Sequence, residues 1–257
     1  RQVTKISTEA TSAVWSGDGK KIAFVSAVWP EYSDKPFKQS DELNRKRKEE
    51  NERNPVKAKV FTRLFYRHWD DYVEDKRQHL FVVDFDPAAH SVPEPRDVTP
   101  GDRDAYPTSS TFSGGEDFAF SPDGEWIVFT AVPIKDEAWN TRHELCRVSV
   151  RGGDAAWPSL GTGSTGAEGA PAFTADGKNL VYRAQRRAGF EADKWELFMA
   201  PCRADGTLAG KPVELTKSLD RSVDAFVPTQ KGEILFQVEE NAGNSLYSVT
   251  PGKDPSR

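Results

Sequence analysis

Trp15-Ser16-Gly17-Asp18-Gly19-Lys20-Lys21-Ile22-Ala23-Phe24 decides the fold, because the chain repeats this phrase three more times. It returns as Phe120-Ser121-Pro122-Asp123-Gly124-Glu125-Trp126-Ile127-Val128-Phe129 and as Phe173-Thr174-Ala175-Asp176-Gly177-Lys178-Asn179-Leu180-Val181-Tyr182. A fainter copy reads Thr229-Gln230-Lys231-Gly232-Glu233-Ile234-Leu235-Phe236. In the clear copies an apolar residue and a hydroxyl precede Asp-Gly, and a strand-like apolar run follows. Asp-Gly suits a two-residue hairpin in which both central residues take positive φ. Further strands begin at Leu80, Leu145, Leu197 and Leu246, and Pro212-Val213-Glu214-Leu215-Thr216 reads as a short edge strand. Asp123 and Asp176 are 53 residues apart, and Leu197 and Leu246 are 49 apart. Four short strands in a unit of roughly fifty residues make a propeller blade. The expected fold class is therefore all-β: a β-propeller of about four four-stranded blades in an incomplete ring. The blades are expected at about 1–112, 113–168, 169–222 and 223–257. Trp15, Phe120 and Phe173 are the expected core positions of the repeat.

Blade one breaks the period. Asp18 and Asp123 are 105 residues apart, and the surplus lies in an insertion at about 29–75. Its charged run from Ser40 to Glu52 is helix-compatible, with Ser40 as the expected N-cap and Asn54-Pro55 as the stop. A long excursion on a rigid scaffold is more often functional than a short turn.

The 257 residues carry 35 Lys and Arg against 40 Asp and Glu, a net charge of -5 with both signs interspersed. That balance gives no basis for nucleic-acid binding. No stretch approaches the length of a membrane span, and Arg1 opens no signal peptide, so processing or a boundary upstream is expected. Cys146 and Cys202 occupy non-equivalent places in neighbouring blades, which argues against a disulfide between them.

Several motifs have a plain structural reading beside a chemical one. Gly161-Thr162-Gly163-Ser164-Thr165-Gly166 spells G-x-G-x-x-G, but another propeller strand follows it where a dinucleotide site needs a helix. It also fails as G-x-S-x-G, since Thr162 stands at the first glycine. His68, His79, His90 and His143 lack the spacing of a metal site, and no metal or cofactor is expected. His79 heads a strand and reads as structural; packing is also the commoner role for His68. Glu49 and Glu50 have the chemistry to hold a peptide's free ammonium group. Beside Arg45, Lys46, Arg47 and Lys48, however, a solvated salt-bridged helix face is the commoner reading. Glu239-Glu240 reads as a hairpin edge.

The insertion and its flanks carry a more specific resemblance. Phe24-Val25-Ser26-Ala27-Val28-Trp29-Pro30 is followed by Lys57-Ala58-Lys59-Val60-Phe61-Thr62-Arg63-Leu64-Phe65-Tyr66-Arg67-His68-Trp69-Asp70. His79-Leu80-Phe81-Val82-Val83-Asp84, Asp97-Val98-Thr99-Pro100-Gly101-Asp102-Arg103-Asp104 and Thr111-Phe112-Ser113-Gly114-Gly115 come next, in that order. This resembles the N-terminal propeller of bacterial dipeptidyl aminopeptidase/acylaminoacyl peptidase-like enzymes of the prolyl oligopeptidase family, over essentially the whole chain and most strongly from Ala13 to Phe129.

The resemblance implies a propeller of seven or eight blades capping a C-terminal α/β-hydrolase domain with Ser, Asp and His, and peptides admitted to a cavity between the two. This sequence has too few blades for that ring and no G-x-S-x-G, so no catalytic residue is carried over and the chain alone is expected to be inactive. The implied partners are the hydrolase domain of the same polypeptide and short peptide substrates. Glu49, Glu50, Arg67, Asp102 and Arg103 are the candidate substrate-binding residues. For Arg67 a structural salt bridge with Asp70 or Asp71 is the alternative. A periplasmic or secreted location follows from the resemblance alone. The competing reading is a Tol-type protein-binding propeller without enzymatic activity. An incomplete ring is also expected to leave apolar faces on its terminal blades, and with them a tendency to self-associate.

Overall fold

The computed structural model describes residues 2–257 apart from 63, 65, 69, 70, 73, 74, 90, 92, 109–112, 114, 115, 133–136, 154 and 155. The described chain is a β-propeller arc of four antiparallel sheets. Blade one holds β1 (Thr11–Trp15) and β2 (Lys21–Val28). The insertion then adds α1 (Phe37–Arg53) and a small hairpin of β3 (Arg67–His68) and β4 (Asp71–Tyr72). Blade one resumes with β5 (Arg77–Asp84) and β6 (Arg96–Asp97), in the order β1-β2-β5-β6. Blade two is β7 (Phe118–Phe120), β8 (Trp126–Ala131) and β9 (Glu144–Ser149). Blade three is β10 (Glu168–Phe173), β11 (Asn179–Ala184), β12 (Glu196–Pro201) and β13 (Val213–Glu214). Blade four is β14 (Phe226–Pro228), β15 (Ile234–Glu240) and β16 (Gly243–Val249).

The fourth strand is two residues long in blades one and three and shrinks to a one-residue bridge in the others, Cys146 with Ser159 and Ser248 with Ser256. Strand alternation builds the core between blades. Along β2, Ala23 and Val25 face blade two and pack with Phe118, Ile127 and Phe129, while Ile22, Phe24 and Val28 face the other way. Along β8 and β11, Val128 meets Leu180 and Tyr182 between blades two and three. Val181 meets Ile234 and Phe236 between blades three and four.

The repeated phrase forms a different turn from the one its Asp-Gly suggests. Of the two residues only glycine takes positive φ, at 69° in Gly19, 69° in Gly124 and 68° in Gly177. Ser16 N–H donates to Lys21 C=O at 2.9 Å and Gly19 N–H to Ser16 C=O at 2.9 Å, so four residues make the loop. Side chains lock it: Asp18 accepts the Ser16 hydroxyl at 2.7 Å and Lys20 N–H at 3.0 Å. Asp123 and Asp176 accept the hydroxyls of Ser121 and Thr174, each at 2.6 Å. An aspartate that bonds its own turn has no need of the left-handed conformation.

Two further expectations change. Phe120 is 7% exposed but Trp15 is 52% exposed: Trp15 meets the edge of Phe85 at 4.8 Å, and no blade of the described chain stands beyond it. That side is not bare, however: Val3, Ile6, Phe37 and Phe85 lie against Ile22, Phe24, Val28, Phe81 and Val83. The N-terminal segment and the start of α1 thus cover blade one, where an open face is expected from the sequence. Phe37 also explains why the helix begins earlier than expected. Pro36 stands at the N-cap without a side-chain cap, and Ser40 lies within the first turn. The helix stops at Asn54, whose N–H donates to Glu50 C=O at 3.0 Å.

Candidate functional site

Antiparallel strands place every Asp-Gly turn at one rim of the arc. There Lys21 pairs with Glu125 at 3.4 Å, and Asp123 N–H donates to Ala204 C=O at 3.0 Å. The insertion and the loop 98–117 leave their sheet from the opposite rim, so the expected site residues share one face of the propeller. They do not converge on one point.

Glu49 lies between Arg45 and Arg53, at 2.7 Å and 3.3 Å, on a half-exposed helix face. Glu50 is exposed, and among the described residues its side chain has no ion pair. Arg67 is exposed in the small hairpin beside an aromatic group in which Phe61 stacks on Tyr72 at 5.5 Å and meets Tyr66 at 5.0 Å. Its suggested partner Asp70 is outside the described residues, as is His90. Asp102 pairs with Arg77 at 2.7 Å, and buried Asp104 pairs with the same guanidinium at 2.9 Å. Burial disfavours the charge on Arg77, but Asp104 and Asp102 outweigh it and raise its pKa. Arg103 lies over the Trp157 ring at 4.5 Å and donates to Val132 C=O at 2.9 Å, which ties blade one to blade two.

Beneath this loop His79 is fully buried, with Asp97 at 2.7 Å from Nδ1 and Gly101 C=O at 2.9 Å from Nε2. Both partners are acceptors, so both ring nitrogens carry protons. Burial opposes the charge, yet Asp97, the Gly101 carbonyl and Asp104 raise the pKa of His79. Its role is structural.

The insertion lines a half-open cavity of about 390 Å³ that sequence reasoning did not assemble. Arg47, Asn51 and Asn54 of the helix end form one wall, residues 56–61 another, and Trp29 and Asp75 complete it. None of the five expected residues is among its described lining. Buried Trp29 carries a cation at 5.0 Å, Arg47, and another at 4.8 Å, Lys76. Arg47 also pairs with Glu31, and Lys57 donates to the helix-end carbonyl of Glu52 at 2.9 Å. Lys59 lies 4.9 Å over Tyr72. Among the described lining residues Arg47, Lys57 and Lys59 stand against Asp75, a balance that favours a carboxylate or carbonyl over an ammonium group. Asn44 fixes this assembly to the propeller: it is 1% exposed, its Oδ1 accepts Trp29 N–H at 2.9 Å, and its Nδ2 donates to Ser40 C=O at 2.9 Å.

A second cavity of about 610 Å³ lies between blades two and three, over the stacked rings of Tyr182 and Phe198 and under the loop Gly161–Thr165. This is the G-x-G-x-x-G stretch, and it is a loop. Thr162 donates its hydroxyl to Glu168, and Gly166 passes so close to Gln185 that a Cβ would lie 2.2 Å from the Gln185 carbonyl oxygen. Cys146 and Cys202 are free thiols; burial pushes them up to about 12 and about 11. Among the described residues no group of three His, Cys, Asp or Glu is placed to hold a metal, and no helix is long and apolar enough to cross a membrane.

No family model matches the sequence. The dipeptidyl-peptidase 5 of Porphyromonas gingivalis is 27% identical over 197 residues, covering 75% of this chain and 27% of that protein. The chain thus spans about a quarter of the length of such curated relatives. Among solved structures, a puromycin hydrolase superimposes with a TM-score of 0.50 and 16% identity, over 96% of this chain and 39% of that one. TolB from Acinetobacter baumannii gives a TM-score of 0.48 and 13% identity, over 95% of this chain and 44% of that one. At such identities the solved structures bear on the fold alone. The chain is a β-propeller whose sequence is similar to part of the dipeptidyl-peptidase 5 proteins.

Proposed function

We propose that this chain is the non-catalytic propeller portion of a serine exopeptidase, of dipeptidyl or acylaminoacyl peptidase type, which positions and admits short peptides for an α/β-hydrolase domain of the same polypeptide. The observation that carries this reading is the similarity to dipeptidyl-peptidase 5 over 75% of the chain, which corresponds to about a quarter of that enzyme. In such an enzyme a serine attacks the scissile carbonyl with a histidine as base. The propeller contributes orientation and shielding from water.

The insertion fits that contribution because it is rigidly held and polar. Asn44 fastens it to Trp29, and the described lining of its cavity presents more cations than anions. In this reading Arg47, Lys57 and Lys59 receive a carbonyl or carboxylate of the peptide. Of the residues expected from the sequence, Glu50 keeps its carboxylate exposed for a substrate ammonium, with Arg67 on the same insertion. Glu49, Asp102 and Arg103 already have partners in the fold and act by holding it.

The test is to assay the full-length gene product and the 257-residue chain on dipeptidyl and acylaminoacyl chromogenic substrates, with a fluorophosphonate probe for an active serine. The expected result is turnover and labelling by the full-length protein and neither by the chain alone. A full-length product that neither labels nor cleaves would refute the peptidase reading and leave a protein-binding propeller.

A further inference from the structure

The loop that carries the G-x-G-x-x-G phrase departs from the repeat at one position, and the larger cavity lies beneath it. In blade one Val98 N–H donates to Leu80 C=O at 2.9 Å, and Thr99 Oγ1 accepts Leu80 N–H at 2.8 Å. Blade three fastens its outermost strand in the same way: Leu215 N–H donates to Leu197 C=O at 2.8 Å, and Thr216 Oγ1 accepts Leu197 N–H at 3.0 Å. In blade two Leu160 N–H donates to Leu145 C=O at 2.9 Å, but Gly161 replaces the threonine and Glu168 accepts Leu145 N–H at 3.1 Å instead. Residues 161–165 then run on as a roof that side chains hold in place. Thr162 donates to the other oxygen of Glu168, and Thr165 Oγ1 donates to Arg186 C=O at 2.9 Å. Gly166 lies against Gln185 with no room for a Cβ. The space beneath is therefore preformed, which lowers the cost of filling it.

That half-open space of about 610 Å³ has the size of a small-molecule site, and its walls are mostly apolar with a few polar groups, as such sites require. Tyr182 and Phe198 are cross-strand neighbours whose rings stack at 5.8 Å. With Ala184 and Leu208 they make a continuous apolar floor. Tyr182 is buried, but Phe198 is only half-buried, so part of its ring is left for a ligand. The described lining takes no residue from the innermost strands β7 and β10, so the cavity opens on the outer side of the seam between blades two and three.

The charges around the floor differ in what they already hold. Arg186 lies over the Phe198 ring at 5.8 Å and pairs with Glu196 at 2.6 Å and with Glu214, while Lys194 pairs with Glu196 at 2.9 Å. Two cations there meet two anions and cancel. Lys211 is exposed and lines the cavity, and among the described residues its ammonium group has no ion pair. We propose that this cavity binds a small aromatic carboxylic acid, its ring on the floor of Tyr182, Phe198 and Leu208 and its carboxylate on the Lys211 ammonium group. An aromatic body gains from contact with the Phe198 ring and from the neighbouring guanidinium of Arg186. The carboxylate supplies the one charge that Lys211 lacks, and an amine in its place is repelled.

The test titrates the full-length gene product by calorimetry with naphthaleneacetate and with its neutral analogue naphthaleneethanol, and it is independent of peptide hydrolysis. The acid is expected to bind more tightly than the alcohol. Lys211→Gln is expected to weaken the acid about tenfold, as the loss of one charge-assisted hydrogen bond does, and to leave the alcohol unchanged. Lys211→Arg is expected to keep the acid. Lys211 is exposed, so both variants retain the fold. Amide hydrogen exchange locates the ligand: the acid is expected to slow exchange at 161–165 and 208–212. Equal affinity of wild type and Lys211→Gln for the acid, or no binding of the acid at all, would overturn the proposal. So would slowed exchange at 56–61 instead, since that would assign the acid to the cavity of the insertion, beside Arg47, Lys57 and Lys59.

Discussion

Replacing Asn44 by alanine tests how the insertion is fastened. Asn44 and Trp29 are 1% and 3% exposed, so no water substitutes for the lost amide oxygen. The mutation leaves the Trp29 N–H, now bonded at 2.9 Å, buried without an acceptor. An unsatisfied buried donor costs about 1–3 kcal/mol. A loss of about 2 kcal/mol in a domain of this size lowers the melting temperature by ~4–8 °C. The amide nitrogen also leaves Ser40 C=O, which loosens the first turn of α1. The assay is urea denaturation of Asn44→Ala beside the exposed control Asn51→Ala, with trypsin cleavage in the Arg45–Lys48 stretch as a local readout. The control should stay within about 0.5 kcal/mol of wild type. If Asn44→Ala matches the control in midpoint and in cleavage rate, Asn44 does not hold the insertion and the cavity is not rigid.

Two other outcomes follow from packing and charge. Phe120→Ala should cost about 3–5 kcal/mol by denaturation, while Trp15→Ala in the 257-residue chain should cost much less, because only Phe120 is buried between blades; equal costs would refute the blade register. His79 titrates above the ordinary histidine value of 6.5, so its contribution to stability is full below that pH and is lost as pH rises through its folded pKa. The stability gap between wild type and His79→Gln, read from urea midpoints between about pH 5.5 and pH 9, should therefore narrow with rising pH; a gap that widens would mean that His79 is folded in its neutral form.

The fold was legible where its causes are local. The phrase around Asp18, Asp123 and Asp176 survives translation into structure because serine or threonine and aspartate bond within the same turn. The Val-Thr and Leu-Thr pairs at 98–99 and 215–216 were equally present in the sequence, and their spacing from the next repeat could have revealed the strand-fastening bonds. The exposure of Trp15 was not legible, because it depends on which blade stands next to it. The helix start differs from the capping pattern for a similar reason: Phe37 is drawn in by blade one, a contact that no capping pattern encodes. The site was the least legible part. Charge and location select Glu49, Asp102 and Arg103, which in the fold pair with Arg45 and Arg53, with Arg77, and with Trp157. The cavity residues Trp29, Arg47, Lys57 and Asp75 meet only through the folding of a long insertion.

The carboxylate of Glu168 gives the arc an uneven mechanical grain. Blades one and three close their third strands with their own threonines, whereas Leu145 of blade two relies on an oxygen belonging to blade three. Glu168 N–H returns a bond to His143 C=O at 3.0 Å, and Arg147 crosses the same seam to Asp205 at 2.9 Å. Tension along the chain would therefore find no weak joint between these two sheets. Separating blades two and three would have to break the Leu145, Glu168 and Arg147 bonds together, so the two sheets are joined as one doubled link.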